Sequence, residues 1–247
     1  NPTCSPSRAC LLTGQAAHSC GMGGLVNRGW SLPHPERLLP RFLRDSGYQT
    51  VRTGIQHVVK NPEDGGYERI EAGEGGDEGA AGRAVAFLAE EHKRSFFLDV
   101  GFSATHRRAE GFDAQPEGEE ATDPRYVKPP APLPDTAETR VDMALYIDAA
   151  RRLDQLVGRV VDAVDNSGLR DNTLIICTTD HGIAFPQMKC NLTDHGMGVM
   201  LALRGPGGFS AGKVVDALVS HLDLFPTICD LAGLERPAWL QGQSLLP

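Results

Sequence analysis

No apolar run in these 247 residues approaches the length of a membrane span, and no leader peptide is visible. The second absence carries no weight, because the chain begins at Asn1 rather than at Met. A basic surplus is missing too: the formal net charge is −8. Nucleic acid and anionic membranes both call for basic patches, so neither fits as a partner. Zinc-type cysteine spacing is also absent. Cys4, Cys10, Cys20, Cys177, Cys190 and Cys229 are scattered, which argues against a structural metal site and leaves the redox compartment open. There are no internal repeats. What is present is an ordinary globular composition, 23% charged and 40% hydrophobic, in a chain long enough for one large α/β domain.

The local patterns alternate helix and strand. Residues 9–13 predict a short helix stopped by Gly14, and residues 36–46 a second one ended by Gly47. Strands are expected over 48–53, 96–102, 173–178, 199–204 and 214–219. The Gly-rich, acidic stretch 62–82 reads as a surface loop, followed by a helix over 84–91. A long acidic and proline-rich loop covers 109–134. Asp135 and Glu138 form a capping-box pattern opening the longest helix. Its apolar stripe (Leu145, Ala149, Leu153, Leu156, Val160, Val164) is core, and Gly168 closes it. A last helix spans 224–231, with Pro226 in its first turn and Gly233 beyond its end. Such alternation implies βαβ units and a mainly parallel sheet sandwiched by helices.

Open sheets of this kind bind ligands outside the carboxyl ends of their strands. Three polar groups fall just past such ends: His57, His106 and Asp180-His181-Gly182. Each alone is weak, since a single His near a loop is often incidental. Together, at what reads as the same edge of one sheet, they suggest a shared site. The chain also opens on a compact grouping, Cys4-Ser5-Pro6-Ser7-Arg8 followed by Leu11-Leu12-Thr13-Gly14. A cysteine in a Ser/Pro/Arg turn can be inert, so its meaning depends on context.

That opening resembles the signature of the formylglycine-dependent sulfatases, which have an alkaline phosphatase-like core. Thr178-Thr179-Asp180-His181-Gly182 is similar to their second metal segment, and residues 102–107 to the stretch ending in a substrate-contacting His. Residues 220–233 and Gln241-Gly242-Gln243-Ser244-Leu245 also look like family segments. Leu133-Pro134-Asp135-Thr136, Arg152-Leu153-Asp154 and the run from Phe185 to Leu192 most resemble the branch of heparan N-sulfatase and its bacterial relatives. The likeness covers nearly the whole chain.

The resemblance implies a chemistry. A maturation enzyme would oxidise Cys4 to formylglycine, whose hydrate attacks sulfur and displaces an alcohol or amine. Arg8 would stabilise that hydrate and the sulfated intermediate. His106 would contact the sulfate and protonate the leaving group, and His57 would assist breakdown of the intermediate. Lys189 would bind the sulfate, while Asp180 and His181, with residue 4, would hold Ca2+ or a similar divalent cation. The residue types suit the task, since sulfuryl transfer needs cations around its oxygens and a proton donor near neutral pH. The expected substrate is a sulfated sugar or glycosaminoglycan, and the family works in the periplasm, outside the cell or in the lysosome.

Two departures stand out. Ile55 sits where the family has a Lys, so one sulfate-binding charge is missing, or Lys60 or Arg52 supplies it. The family's other metal ligands are an Asp pair on a first strand, which would precede Asn1. The expectation is therefore one catalytic domain over 1–247, lacking its first strand and incomplete at both ends, which binds calcium poorly and folds marginally alone. His18 could line the pocket or simply end a helix. Asn191-Leu192-Thr193 matches a glycosylation sequon but reads as coincidence beside Lys189, and Asp194-His195-Gly196 reads as a turn. Two rival functions share the pattern: a phosphonate or phosphate monoester hydrolase of the same superfamily, and a non-catalytic binder of sulfated glycans with Cys4 unmodified.

Overall fold

The computed structural model describes residues 1–109, 111–113, 121–206, 208–209 and 212–246. Part of the proline-rich loop expected over 109–134 lies outside the described residues. Helix α1 spans Cys4–Thr13 and so starts five residues before the sequence reading placed it. The cause is Pro6: in a first turn its missing N–H leaves no bond unmade, so it sits inside the helix instead of ahead of it. Gly14 closes α1 in the left-handed conformation, its N–H on the Cys10 carbonyl. The second expected helix is divided into a 3-10 turn at Pro35–Arg37 and α2 at Leu39–Asp45, with Pro40 again in a first turn.

Strands β1 (Gln49–Gly54) and β2 (Arg69–Glu71), helix α3 (Gly76–Leu88) and β3 (Phe96–Gly101) follow. They form a parallel sheet in the order β2-β1-β3. The loop expected over 62–82 is thus corrected: it contains β2 and the first half of α3. Its glycines obscured a helix start in which Asp77 and Glu78 face the positive end of the dipole. Short strands β4 (Arg107–Arg108) and β5 (Gly111–Phe112) form a hairpin.

Helix α4 runs from Ala137 to Asn166. Its cap is one residue off the expected box: Thr136 caps it, paired with Thr139, while Asp135 binds Arg140 instead. Within its stripe Ala149, Leu156 and Val164 are buried and the other three are half-buried. Strand β6 (Ile175–Thr178) pairs antiparallel with β7 (Leu201–Arg204), forming a separate two-stranded sheet. Between them lies the one-turn helix α5, Asp194–Met197, in place of the expected turn. The β6 residues are half-buried rather than buried on both faces. The strand expected over 214–219 does not form; the segment finds no ladder partner among the described residues and leaves Val214 and Leu218 exposed. Helix α6 (Leu224–Ala232) ends at Gly233 as expected.

Three cores hold these pieces. Ala9 and Leu12 of α1 pack with Leu39 and Leu43 of α2 and Phe225 and Cys229 of α6. Val51 of β1, Phe87 and Leu88 of α3 and Val164 of α4 form the second, with Leu98 and Ile175 against it. Phe112, Ala149, Phe185 and Met188 form the third. No helix among the described residues is long and apolar enough to cross a membrane.

Candidate active site

Strands β1 and β3 are parallel and in register from Gln49↔Phe96 to Gly54↔Gly101, so their carboxyl ends open on one edge. Past β1, Gln56 shapes the chain with its own side chain. Its Oε1 accepts from the N–H groups of Val58 (2.5 Å) and Val59 (2.9 Å), and its Nε2 donates to the Val59 carbonyl at 2.6 Å. This knot presents His57 with a φ of 53°, a left-handed conformation that few residues with a Cβ adopt. Past β3, the Asp77 carboxylate accepts from Ser103 N–H (2.7 Å), Ser103 Oγ (3.0 Å) and Ala104 N–H (2.8 Å). The His106 N–H then closes a turn on the Ser103 carbonyl at 2.8 Å. A carboxylate at the start of α3 therefore holds the loop that carries His106.

The third group follows β6. Gly182 N–H donates to the Gly196 carbonyl at 2.9 Å, bringing two loop ends into backbone contact. A Cβ on Gly182 would lie 1.7 Å from the His195 carbonyl oxygen, and one on Gly196 2.2 Å from that of Asn191. Only glycine allows this approach. The enclosed loop carries Lys189, whose N–H bonds the Ile183 carbonyl at 3.2 Å. Phe185 and Met188 anchor it in the third core, with Phe185 5.3 Å from the Phe112 ring and 6.0 Å from Tyr146.

These elements meet at the first turns of α1. The Cys4 Sγ lies 3.2 Å from His181 Nε2, and Arg8 Nε donates to Asp180 Oδ2 at 2.9 Å. His181 Nδ1 is 2.7 Å from the Gly182 carbonyl, which can only accept, so the ring proton sits on Nδ1. Nε2 of the neutral ring is then an acceptor facing the Cys4 thiol, with Asp180 Oδ1 at 3.5 Å. The Lys189 charge acts on Cys4, Asp180, His57, His106 and His181. Of the seven residues singled out in the sequence, Cys4, Arg8, Asp180 and His181 are thus in direct contact, and Lys189, His57 and His106 lie near enough to exchange charge effects with them.

Burial, then the Asp180 charge, pushes the Cys4 thiol up, against the pull of Lys189 and Arg8. Unmodified Cys4 is therefore a protonated thiol near neutral pH and a poor nucleophile. Burial also opposes the Asp180 charge, but Arg8, His181 and Lys189 outweigh it and hold its pKa below the usual range. His57, His106 and His181 are all lowered, first by burial. Arg8 adds to this at His57 and Lys189 at His106. At His181, Asp180 and the Gly182 carbonyl push the other way.

One ligand atom each from Cys4, Asp180 and His181 lies within 4.8 Å of the others. A carboxylate oxygen beside a bare imidazole nitrogen, with no proton between them, suits a cation. Ca2+ takes six to eight oxygens, and this set offers one carboxylate, so it fits as a corner of such a site rather than as a whole one.

The alternatives for the charge absent at Ile55 separate clearly. Arg52 is buried with its guanidinium 5.8 Å over the Tyr67 ring, and Lys60 is exposed. Neither is among the charges acting on Cys4, His57 or His106. His18 is exposed in the turn after α1. Sequence reasoning passed over Asp77 and Gln56, which position the histidines. The one available signal was Asp77 in the first turn of a helix mistaken for a loop.

The profile of the sulfatase family matches residues 1–234, and the chain belongs to the sulfatase family. It is 33% identical to human N-sulphoglucosamine sulphohydrolase over 99% of this chain and 56% of that protein. It is 24% identical to the ulvan-active sulfatase of Formosa agariphila over 98% of this chain and 46% of that one. The chain therefore spans about half the length of these relatives. Among solved structures, that of BT4656 in complex with its substrate D-glucosamine-2-N,6-O-disulfate superposes with a TM-score of 0.78. It is 19% identical and is covered over 100% of this chain and 70% of that one. A phosphonate monoester hydrolase from Silicibacter pomeroyi superposes with a TM-score of 0.68 at 21% identity, over 98% of this chain and 66% of that one. These likenesses establish the alkaline phosphatase-like α/β fold.

Proposed function

We propose that this chain is the catalytic region of a sulfatase that releases inorganic sulfate from a sulfated sugar, as ester or sulfamate. The observation that carries the reading is the seating of Cys4 and Arg8 against Asp180 and His181, with Lys189 beside them and His57 and His106 within reach of their charges. The names of two similar proteins, one acting on N-sulphoglucosamine and one bound to a 2-N,6-O-disulfated glucosamine, support an amino sugar as substrate.

On this reading a maturase converts Cys4 to formylglycine, whose hydrated aldehyde supplies the nucleophilic oxygen that a neutral thiol does not. Conversion also replaces a soft sulfur by hard oxygen next to Asp180 and His181, a better match to Ca2+. That ion would polarise the sulfate when bound. Its remaining ligands, on this reading, are an Asp pair outside these residues. The chain's own groups then divide the work. Arg8 and Lys189 place positive charge where sulfate oxygens sit. The exposed His106 delivers a proton to the departing oxygen or nitrogen, and His57 takes one up. One similar protein is called an extracellular sulfatase, which supports a location outside the cytosol.

The test is the mass of the tryptic peptide ending at Arg8, from full-length protein made in its native host. It is paired with parallel assays on sulfate and phosphonate esters. An aldehyde at Cys4 with preferential sulfate release is the expected result. An intact thiol beside an active maturase supports a glycan-binding role instead, and faster phosphonate turnover supports the phosphorus hydrolase.

A further inference from the structure

His221 stands apart from the group around Cys4, yet it bonds to both of the elements that carry it. It is 8% exposed and opens the 3-10 turn His221–Asp223. Its Nδ1 lies 3.2 Å from Ser7 Oγ and its Nε2 3.0 Å from Thr178 Oγ1. Ser7 sits between Cys4 and Arg8 on α1 and is 1% exposed. Thr178 ends β6, two residues before Asp180.

Counting protons gives these bonds a direction. The Thr178 hydroxyl has one proton, and its oxygen lies 2.7 Å from the Met200 carbonyl, which can only accept. Thr178 must therefore accept from His221, which puts the ring proton on Nε2. Nδ1 is left as an acceptor, and the Ser7 hydroxyl donates to it. The chain of bonds runs from Ser7 through His221 and Thr178 to Met200. Burial pushes His221 down to about 4, in keeping with a neutral ring.

The turn bearing His221 is itself fixed. Ser220 N–H donates to Asp223 Oδ2 at 2.7 Å, and Asp223 Oδ1 accepts from Gln243 N–H at 2.8 Å. Directly beyond it, Phe225 and Cys229 of α6 pack on Ala9 and Leu12 of α1.

We propose that His221, as a neutral Nε2–H tautomer, is a positioning residue that locks the helix carrying Cys4 and Arg8 to the strand end carrying Asp180 and His181. Its catalytic consequence rests on the sulfatase reading; the lock itself does not. Both close contacts of the site, Cys4 to His181 and Arg8 to Asp180, span the same two elements, so a slip between them disturbs both. Misplacement by about 1 Å can cost on the order of 10²-fold in rate.

The test uses the full-length, matured protein and the variants His221→Ala, His221→Asn, His221→Gln, Ser7→Ala and the Ser7→Ala/His221→Ala pair. Nitrogen-15 spectra of the wild type are expected to show His221 as the neutral Nε2–H tautomer at pH 7. His221→Ala is expected to lower kcat by about 10- to 100-fold with little change in KM. Asn, whose carbonyl can accept from Ser7, and Gln, whose amide can donate to Thr178, are each expected to restore part of it. The Ser7 and His221 effects on Tm and kcat are expected to be non-additive. An Nδ1–H or doubly protonated ring overturns the proposal, as do additive effects or a His221→Ala variant that loses stability but keeps its kcat. Should the wild type release no sulfate, the sulfatase reading fails, while the tautomer and the Tm cycle still decide the lock. If the alanine variant does not fold, the Asn, Gln and Ser7 variants decide it.

Discussion

The tripeptide Asp-His-Gly occurs twice, at 180–182 and at 194–196, and the two copies have different fates. The first follows β6, and its side chains face the start of α1: Asp180 pairs with Arg8, and His181 meets Cys4. The second forms the one-turn helix α5, with Asp194 and His195 exposed and only Gly196 buried. In one copy the side chains matter; in the other, the backbone does. What separates them is the preceding segment. A strand aims its last residues at the sheet edge, where a ligand can lie, whereas a loop returning to the same place needs only a residue small enough to touch it.

The largest expected effect tests that contrast directly. Asp180→Ala or His181→Ala should lower sulfate release on the order of 10²–10³-fold, while Asp194→Ala or His195→Ala should change it by less than about twofold. Equal losses from both pairs, measured as kcat/KM on the matured enzyme, break the comparison. The glycines should behave alike where the side chains do not. Gly182→Ala and Gly196→Ala each force a Cβ onto a carbonyl oxygen and should cost about 2–4 kcal/mol, read by denaturant melts. Gly82→Ala, in α3 with open space around it, serves as the control and should be neutral or stabilising by up to about 1 kcal/mol.

A smaller effect sharpens the picture at the loop that carries His106. Asp77→Asn keeps the shape but sets an amide donor against one of its three donor partners, loosening the loop of His106. A fall in kcat of about tenfold is expected, with the global melting midpoint moving far less. The smallest effect is in the pH profile. The His106 pKa is lowered by burial and then by Lys189, so a step that needs its proton weakens as pH rises through a value below the ordinary histidine range. Lys189→Gln removes one of those causes and should move that limb of kcat/KM to higher pH. A shift the other way, or none, separates Lys189 from His106.

Much of this site was legible because strand ends are legible. Hydrophobic runs at 96–102 and 173–178 located two sheet edges, and the polar residues just past them are the ones that converge. The partners that hold those residues were not legible. Asp77 lies 26 residues from Ser103, Ser7 lies 214 from His221, and no local pattern encodes a bond across such a distance. Helix limits failed where proline and glycine carry two meanings. Pro6 and Pro40 belong to first turns, and the glycines before Ala80 open a helix. The strand expected over 214–219 failed for another reason: composition can favour a strand, but only a neighbour with free backbone groups makes one.

The bond from Gly182 to Gly196 has a geometric consequence for Lys189. Its two ends close a loop, and the backbone around Lys189 packs back on them: Lys189 N–H reaches the Ile183 carbonyl, and a Cβ on Gly196 would lie 2.4 Å from the Met188 carbonyl oxygen. Cys190 N–H also donates to the Pro2 carbonyl at 2.9 Å, so the loop carrying this positive charge is tied to the chain just ahead of α1, and a change in its length is felt at both. Cys4, the Asp180–His181 pair and Lys189 thus stand on one connected frame, so a change of loop length between Gly182 and Gly196 is transmitted to all of them.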